Sequence, residues 1–201
     1  MVAGTNKDEM NFWYVRSNYF YNSTGGVVLR LQRSEENLKS WIKYRSDIWR
    51  YDGAEEPLRR MANTNSNLYA YRFDWDEQNN SSFAGNYQLF VGAAHGLEIP
   101  FLTGDFDLGP ITFYIKPFMF PDDSDEGRLA LSDLMMTYWA NIAKYGNPNE
   151  FVKGPKWEKF TQENNQLLIL DNPTANLVEM RTIPVSKDDL LSQIEADSAL
   201  E

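Results

Sequence analysis

One long amphipathic segment constrains the fold most. Between residues 127 and 145, Leu131, Leu134, Met135, Tyr138, Ile142 and Tyr145 recur at steps of three and four, which places them on one face of an α-helix. Gly146 follows where a helix takes a left-handed stop, and Pro148 prevents continuation. A helix with so broad an apolar stripe must lay it against another layer of structure. Two segments have the composition of strands that could receive it. Leu68-Tyr69-Ala70-Tyr71-Arg72-Phe73 is aromatic and bounded by polar clusters, and Gln166-Leu167-Leu168-Ile169-Leu170-Asp171 is aliphatic. Met1-Val2-Ala3 reads as the tail of a further strand that stops at Gly4. Strands usually run to about five or six residues, so the chain reads as starting inside an element.

Two other helices are predicted. Ser34 is an N-cap followed by the acidic Glu35 and Glu36, and Leu38, Trp41, Ile42, Ile48 and Trp49 then share a face. Pro57 opens the next helix, with Leu58 and Met61 as its stripe. The stretch from Asp74 to about Val91 reads as a loop. The acidic residues 186–201 read as a frayed helical tail.

Composition narrows the function classes. The chain has 201 residues, 42% hydrophobic and 14% aromatic, which suits one domain with a sizeable core. A net charge of -10 argues against a nucleic-acid partner, which needs a basic patch. No run of about 18 apolar residues is present, so no membrane span is expected. With no cysteine and a single histidine, neither a disulfide framework nor a zinc site is expected. No Gly-rich phosphate loop is found, and no cofactor is expected. The acidic runs Asp74-Trp75-Asp76-Glu77 and Asp122-Asp123-Ser124-Asp125-Glu126 lack the spacing of a calcium loop; they read as a solvated loop and a helix-capping cluster. Trp139, Met135 and Met136 read as core. The N-terminus has no charged region followed by an apolar stretch, so no signal peptide is visible, and localisation stays open.

The candidate chemistry rests on His95 and Glu9. His95 lies in Gly92-Ala93-Ala94-His95-Gly96, among small residues that suit a tight, accessible turn. Imidazole is the natural general base near neutral pH. Glu9, in Gly4-Thr5-Asn6-Lys7-Asp8-Glu9, follows a strand end, where a carboxylate can orient a histidine ring. Each residue alone has a plainer reading: a structural histidine, and a solvated acidic turn. The order acid then histidine is that of the α/β-hydrolase triad, which runs Ser, acid, His. No serine in the chain sits in Gly-x-Ser-x-Gly, and Ser23-Thr24-Gly25-Gly26 reads as a turn.

Four segments, in order, resemble type-B carboxylesterases, the carboxylesterase–cholinesterase branch of the α/β-hydrolases. Gly4-Thr5-Asn6-Lys7-Asp8-Glu9 resembles the family's catalytic-acid motif. Tyr69-Ala70-Tyr71-Arg72-Phe73-Asp74 resembles the strand before the histidine loop. Gly92-Ala93-Ala94-His95-Gly96-Leu97-Glu98-Ile99-Pro100-Phe101 resembles the catalytic-histidine motif. Met136-Thr137-Tyr138-Trp139-Ala140-Asn141-Ile142-Ala143-Lys144-Tyr145-Gly146-Asn147-Pro148-Asn149 resembles the signature C-terminal helix and its stop. Trp157 and the strand after it fall where the family closes its domain, although Glu158 stands where proline is usual.

The resemblance implies an α/β fold. Residues 1–201 would form the C-terminal part of one carboxylesterase domain, mostly helical, with a few strands of an incomplete mixed sheet. The N-terminal part with the nucleophile elbow and oxyanion-hole glycines would be absent and would act as a partner. The implied substrate is a small carboxylic ester, cleaved through an acyl-serine. Glu9 and His95 would be acid and base of the triad, and the fragment would be inactive alone. Glu98 would support the histidine loop from behind, or pair with a backbone amide. The alternative is a non-catalytic, cholinesterase-like protein-interaction module, since some family members bind partners without turnover.

Overall fold

The computed structural model describes residues 1–24, 28–78, 87–183 and 186–200. Its strands are β1 (Val2–Asn6), β2 (Tyr21–Thr24), β3 (Val28–Leu31), β4 (Tyr69–Phe73), β5 (Gln166–Leu170) and β6 (Glu179–Thr182). Its α-helices are α1 (Asn11–Val15), α2 (Glu35–Arg50), α3 (Glu56–Met61), α4 (Tyr87–Phe90), α5 (Glu98–Thr103), α6 (Thr112–Met119), α7 (Asp125–Tyr145) and α8 (Lys187–Ala196). The fold is the α/β class expected: an open mixed sheet, part of an α/β-hydrolase fold, with helices on both faces.

The sheet order is β1-β4-β5-β6, with β1, β4 and β5 parallel and β6 antiparallel at one edge. Among the described residues, no strand pairs with the outer edge of β1. Side chains alternate across the sheet. Tyr69, Tyr71 and Phe73 of β4 join Leu168 and Leu170 of β5 against α5 and α7. Ala70 and Leu167 join Leu58 of α3 and Phe160 on the other face. Trp157 is fully buried in the first layer, its ring edge-on to Tyr69, Tyr71 and Tyr138, and its indole N–H donates to the Ala70 carbonyl at 2.9 Å.

α7 forms as its periodicity predicts. Leu131, Met135 and Tyr138 are wholly buried, and Gly146 takes φ 69° and donates to the Ile142 carbonyl. Tyr145 departs from the expectation: it lies at the end of the helix and is 47% exposed. On α2, the Ser34 hydroxyl accepts the Asn37 N–H at 3.1 Å, as an N-cap does. The helix does not end before Pro57. It runs through a π-helical turn, Tyr51–Glu55, straight into α3, whose first turn accommodates the proline. The turn buries Glu55, which ion-pairs with Arg50 at 3.0 Å and Arg59 at 2.9 Å. α8 is capped by the Ser186 hydroxyl on the Asp189 N–H and buries Leu190.

Three other expectations need correction. β1 does not stop at Gly4 but continues to Asn6. Glycine is required there by close approach: a Cβ would lie 2.3 Å from the Tyr71 ring, which leans over it. The run Asp74-Trp75-Asp76-Glu77 is not simply solvated. Asp74 is 4% exposed and is gripped by the Arg72 guanidinium, with Nε donating at 2.6 Å. The β2–β3 hairpin and β6 were not foreseen. The glycines of the expected turn, 25 and 26, and part of the expected loop, 79–86, lie outside the described residues, and the end of that loop is the short helix α4. Among the described residues, no helix is long and apolar enough to cross a membrane.

Two outcomes follow for stability. Tyr71 is hemmed in by Trp139 and Trp157, so it cannot swing clear of a methyl group at position 4. Gly4→Ala is expected to destabilise by about 2 kcal/mol, as overpacking does. A Gly4→Ala/Tyr71→Ala pair should be less destabilised than the sum of its singles in denaturant melts. Additive losses would refute the contact. Asp171, just after β5, is driven up to about 6 by burial, with Asp76 and Asp74 adding repulsion. Its folded pKa lies above the unfolded value, so its contribution is present below about pH 4 and lost as pH rises through about 6. Asp171→Asn should therefore stabilise at pH 7.5, by on the order of 1 kcal/mol after discounting for partial exposure. The gain should shrink as pH falls to 4. An equal gain at both values would show that charge is not its cause.

Candidate active site

β1 and β4 run parallel, with Asn6 opposite Phe73, so both chains leave the sheet at the same edge. The crevice beyond the carboxyl ends of parallel strands is where open α/β sheets bind ligands. The ladder extends one residue further, the Lys7 N–H donating to the Phe73 carbonyl at 2.8 Å. Lys7 Nζ then reaches Asp76 at 2.8 Å, tying the two exits together.

Four side chains hold the histidine loop against the end of β1. The Asp8 N–H donates to the Ala93 carbonyl at 3.1 Å, and the Ala93 N–H returns a bond to Asp8 Oδ2 at 3.0 Å. Asn11 Nδ2 donates to the Val91 carbonyl at 2.9 Å, and Gln78 Nε2 to the Gly92 carbonyl at 3.0 Å. Asn6 Nδ2 donates to the Ala94 carbonyl at 2.7 Å. Gly92 takes φ 51°, and a Cβ on it would meet Asp8 Oδ2 at 2.5 Å, so the clamp fits closed only on glycine. Burial raises the Asp8 pKa; Lys7 and the Ala93 N–H oppose that rise.

The loop delivers His95 to Glu9 across 86 positions of sequence, with Nδ1 to Oε2 at 2.7 Å. Glu9 is 4% exposed. Its Oε1 accepts the Asn6 backbone N–H at 2.8 Å, so both oxygens are committed. Burial raises its pKa, with the Asn6 N–H and His95 pulling it back. The His95 side chain is 51% exposed, and its Nε2 has no hydrogen-bond partner among the described residues. Two indoles flank the imidazole: ring centroids lie 5.2 Å from Trp13 and 5.7 Å from Trp49. The arrangement can orient one imidazole tautomer, stabilise its cation and leave Nε2 open for proton transfer.

Glu98 also enters the cluster. Its Oε2 accepts the second Asn6 Nδ2 hydrogen at 2.6 Å, so its partner is a side-chain amide, not a backbone one. Sequence reasoning did not single out Asn6, Asp8, Asn11, Gln78, Trp13 or Trp49. For the first three, adjacency to Glu9 was an available signal; Gln78 carried none. A cavity of about 630 Å³ lies elsewhere, lined by residues such as Asn67, Tyr145 and Asn149 near the opposite end of β4. The Glu9–His95 pair stands on an open face instead.

Comparison with known proteins places this chain in a family. The model of the family described as "Carboxylesterase family" matches residues 15–187. Acetylcholinesterase of Gallus gallus is 32% identical over 103 residues, 51% of this chain and 11% of that protein. Neuroligin-3 of Macaca mulatta is 40% identical over 68 residues, 34% of this chain and 30% of that protein. Carboxylesterase 5A of Felis catus is 33% identical over 159 residues, 78% of this chain and 25% of that protein. Among solved structures, a PNB esterase superposes with a TM-score of 0.62 at 18% identity, covering 96% of this chain and 37% of that one. A Geobacillus stearothermophilus carboxylesterase gives 0.60 at 17% identity, over 94% and 37%. The chain thus spans between about a tenth and a third of the length of these curated relatives. By the extent of the family match and the shared fold, the chain belongs to the carboxylesterase family and covers part of its domain.

Proposed function

We propose that this chain supplies the acid, Glu9, and the base, His95, of a serine ester hydrolase, while the serine sits in an N-terminal part of the same domain. The observation that carries the reading is the 2.7 Å contact between a buried carboxylate and a half-exposed imidazole. The outer edge of β1, unpaired among the described residues, and the 37% coverage of the esterase structures support a complementary segment. Such a segment would wall the open face and carry the Gly-x-Ser-x-Gly and oxyanion donors that these 201 residues lack.

The chemistry then follows from the ring. With Nδ1–H donated to Glu9, Nε2 holds a lone pair. It takes the serine proton as Oγ bonds to the ester carbonyl carbon and the π pair moves to the carbonyl oxygen. On collapse, the imidazolium returns that proton to the leaving alcohol. Water repeats the cycle on the acyl-serine and releases the acid. Glu9 keeps the tautomer and stabilises the cation without taking the proton. The indoles of Trp13 and Trp49 would accommodate an apolar portion of a small carboxylic ester.

Reconstitution tests this reading. The chain alone is expected to hydrolyse p-nitrophenyl acetate no faster than a background that survives His95→Ala. Co-expressed with the serine-bearing N-terminal part of a family carboxylesterase, it should give saturable turnover blocked by a serine-directed phosphonate. His95→Ala should then lower kcat by about 10³-fold or more, and Glu9→Gln by about 10²–10⁴-fold. Phosphonate-sensitive turnover by the chain alone would overturn the assignment. So would a stable, folded complex with no activity, which the interaction-module alternative predicts.

A further inference from the structure

The mechanism above uses Glu9 and His95, but one neighbour determines where both of them stand. Asn6, the last residue of β1, is 3% exposed and touches the pair from both sides. Its backbone N–H holds Glu9 Oε1 at 2.8 Å, fixing the carboxylate so that Oε2 faces the ring. Its side-chain Nδ2 holds the carbonyl of Ala94, the residue before His95, at 2.7 Å. The second hydrogen on the same nitrogen goes to Glu98 Oε2 at 2.6 Å, at the start of α5 just after the histidine turn. One residue therefore anchors the acid, the segment entering the histidine and the helix leaving it. Asn6 is itself fixed by the sheet, opposite Phe73.

We propose that Asn6 is the positioning residue that sets the Glu9–His95 hydrogen bond; the proposal rests on reading that pair as acid and base. The side-chain chemistry is specific. The site needs two N–H donors on one uncharged atom, within reach of a carbonyl and a carboxylate at once. An aspartate of the same size would oppose its own charge to Glu98 and present no donor to Ala94. An alanine would leave a buried carbonyl and a carboxylate without partners. Thr5, one residue earlier, faces the opposite side of the sheet, and its buried hydroxyl has no hydrogen-bond partner, so it serves as a control for packing alone.

The test exploits the presence of one histidine in the chain. In the full chain labelled with ¹⁵N-histidine, His95 should show the Nδ1–H tautomer with a hydrogen-bonded Nδ1 proton protected from exchange. Asn6→Ala should speed that exchange at least about tenfold and mix the tautomers. Thr5→Val, disturbing β1 without touching these bonds, should not. Glu98→Ala should give a partial effect. If Asn6→Ala does not fold, the isosteric Asn6→Asp decides by the same reading. In the reconstituted esterase, Asn6→Ala should lower kcat about 10–100-fold with KM nearly unchanged. A folded Asn6 variant that keeps the protected proton and single tautomer overturns the proposal. Absent esterase activity with the proton effect intact would instead sink only the acid–base reading.

Discussion

Everything at the candidate site depends on the parallel pairing of β1 with β4. An antiparallel partner would have sent the two chains out at opposite ends of the sheet. Parallel pairing requires a long crossover, and here it is built from α1, the hairpin, α2, the π-helical turn and α3. The return sets Asn6 beside Phe73, so that the segments that follow leave the sheet side by side. The outcome is a polar cluster at one end of an otherwise apolar sheet. Asp8, Glu9, Asp74, Asp76 and Asp171 all sit on exits from β1, β4 or β5.

Such a concentration of carboxylates is stable only because most of them are met. Asp8 has a backbone N–H, Asp74 a guanidinium, Asp76 an ammonium, and Glu9 a backbone N–H and an imidazole. Among these, the partner of Glu9 differs in kind. It is a half-exposed imidazole ring, whereas the others are backbone N–H, ammonium or guanidinium donors.

How much of this was legible in the sequence differs by element. α7 and α2 were readable because periodicity, the Ser34 cap and the Gly146 stop agreed with one another. Glu9, His95 and Glu98 were chosen through motif resemblance, and the fold brings all three to one cluster; neither composition nor spacing alone would have chosen them. The full length of β1 is not legible because glycine looks like a strand breaker, and the facing Tyr71 ring explains why it is needed there. β2, β3 and β6 each have four residues and mixed polarity, too little for alternation to show. Asp74 looked solvated because its neighbours in sequence are acidic, while its partner, Arg72, lies on the strand just before it. The role of Asn6 was hidden for a similar reason: its contacts with Ala94 and Glu98 lie about 90 residues away and exist only after folding.

That distance carries a consequence for the order of events as the chain folds. The β2–β3 hairpin and the helices can form from local contacts, on short timescales. The clamp of Asp8, Asn6 and Asn11 on the histidine loop cannot exist until the crossover has closed and β4 has docked in register on β1. Loop closure over such a span is slow compared with helix formation. The Glu9–His95 contact therefore forms only after the crossover between β1 and β4 has closed, together with the bonds that support it.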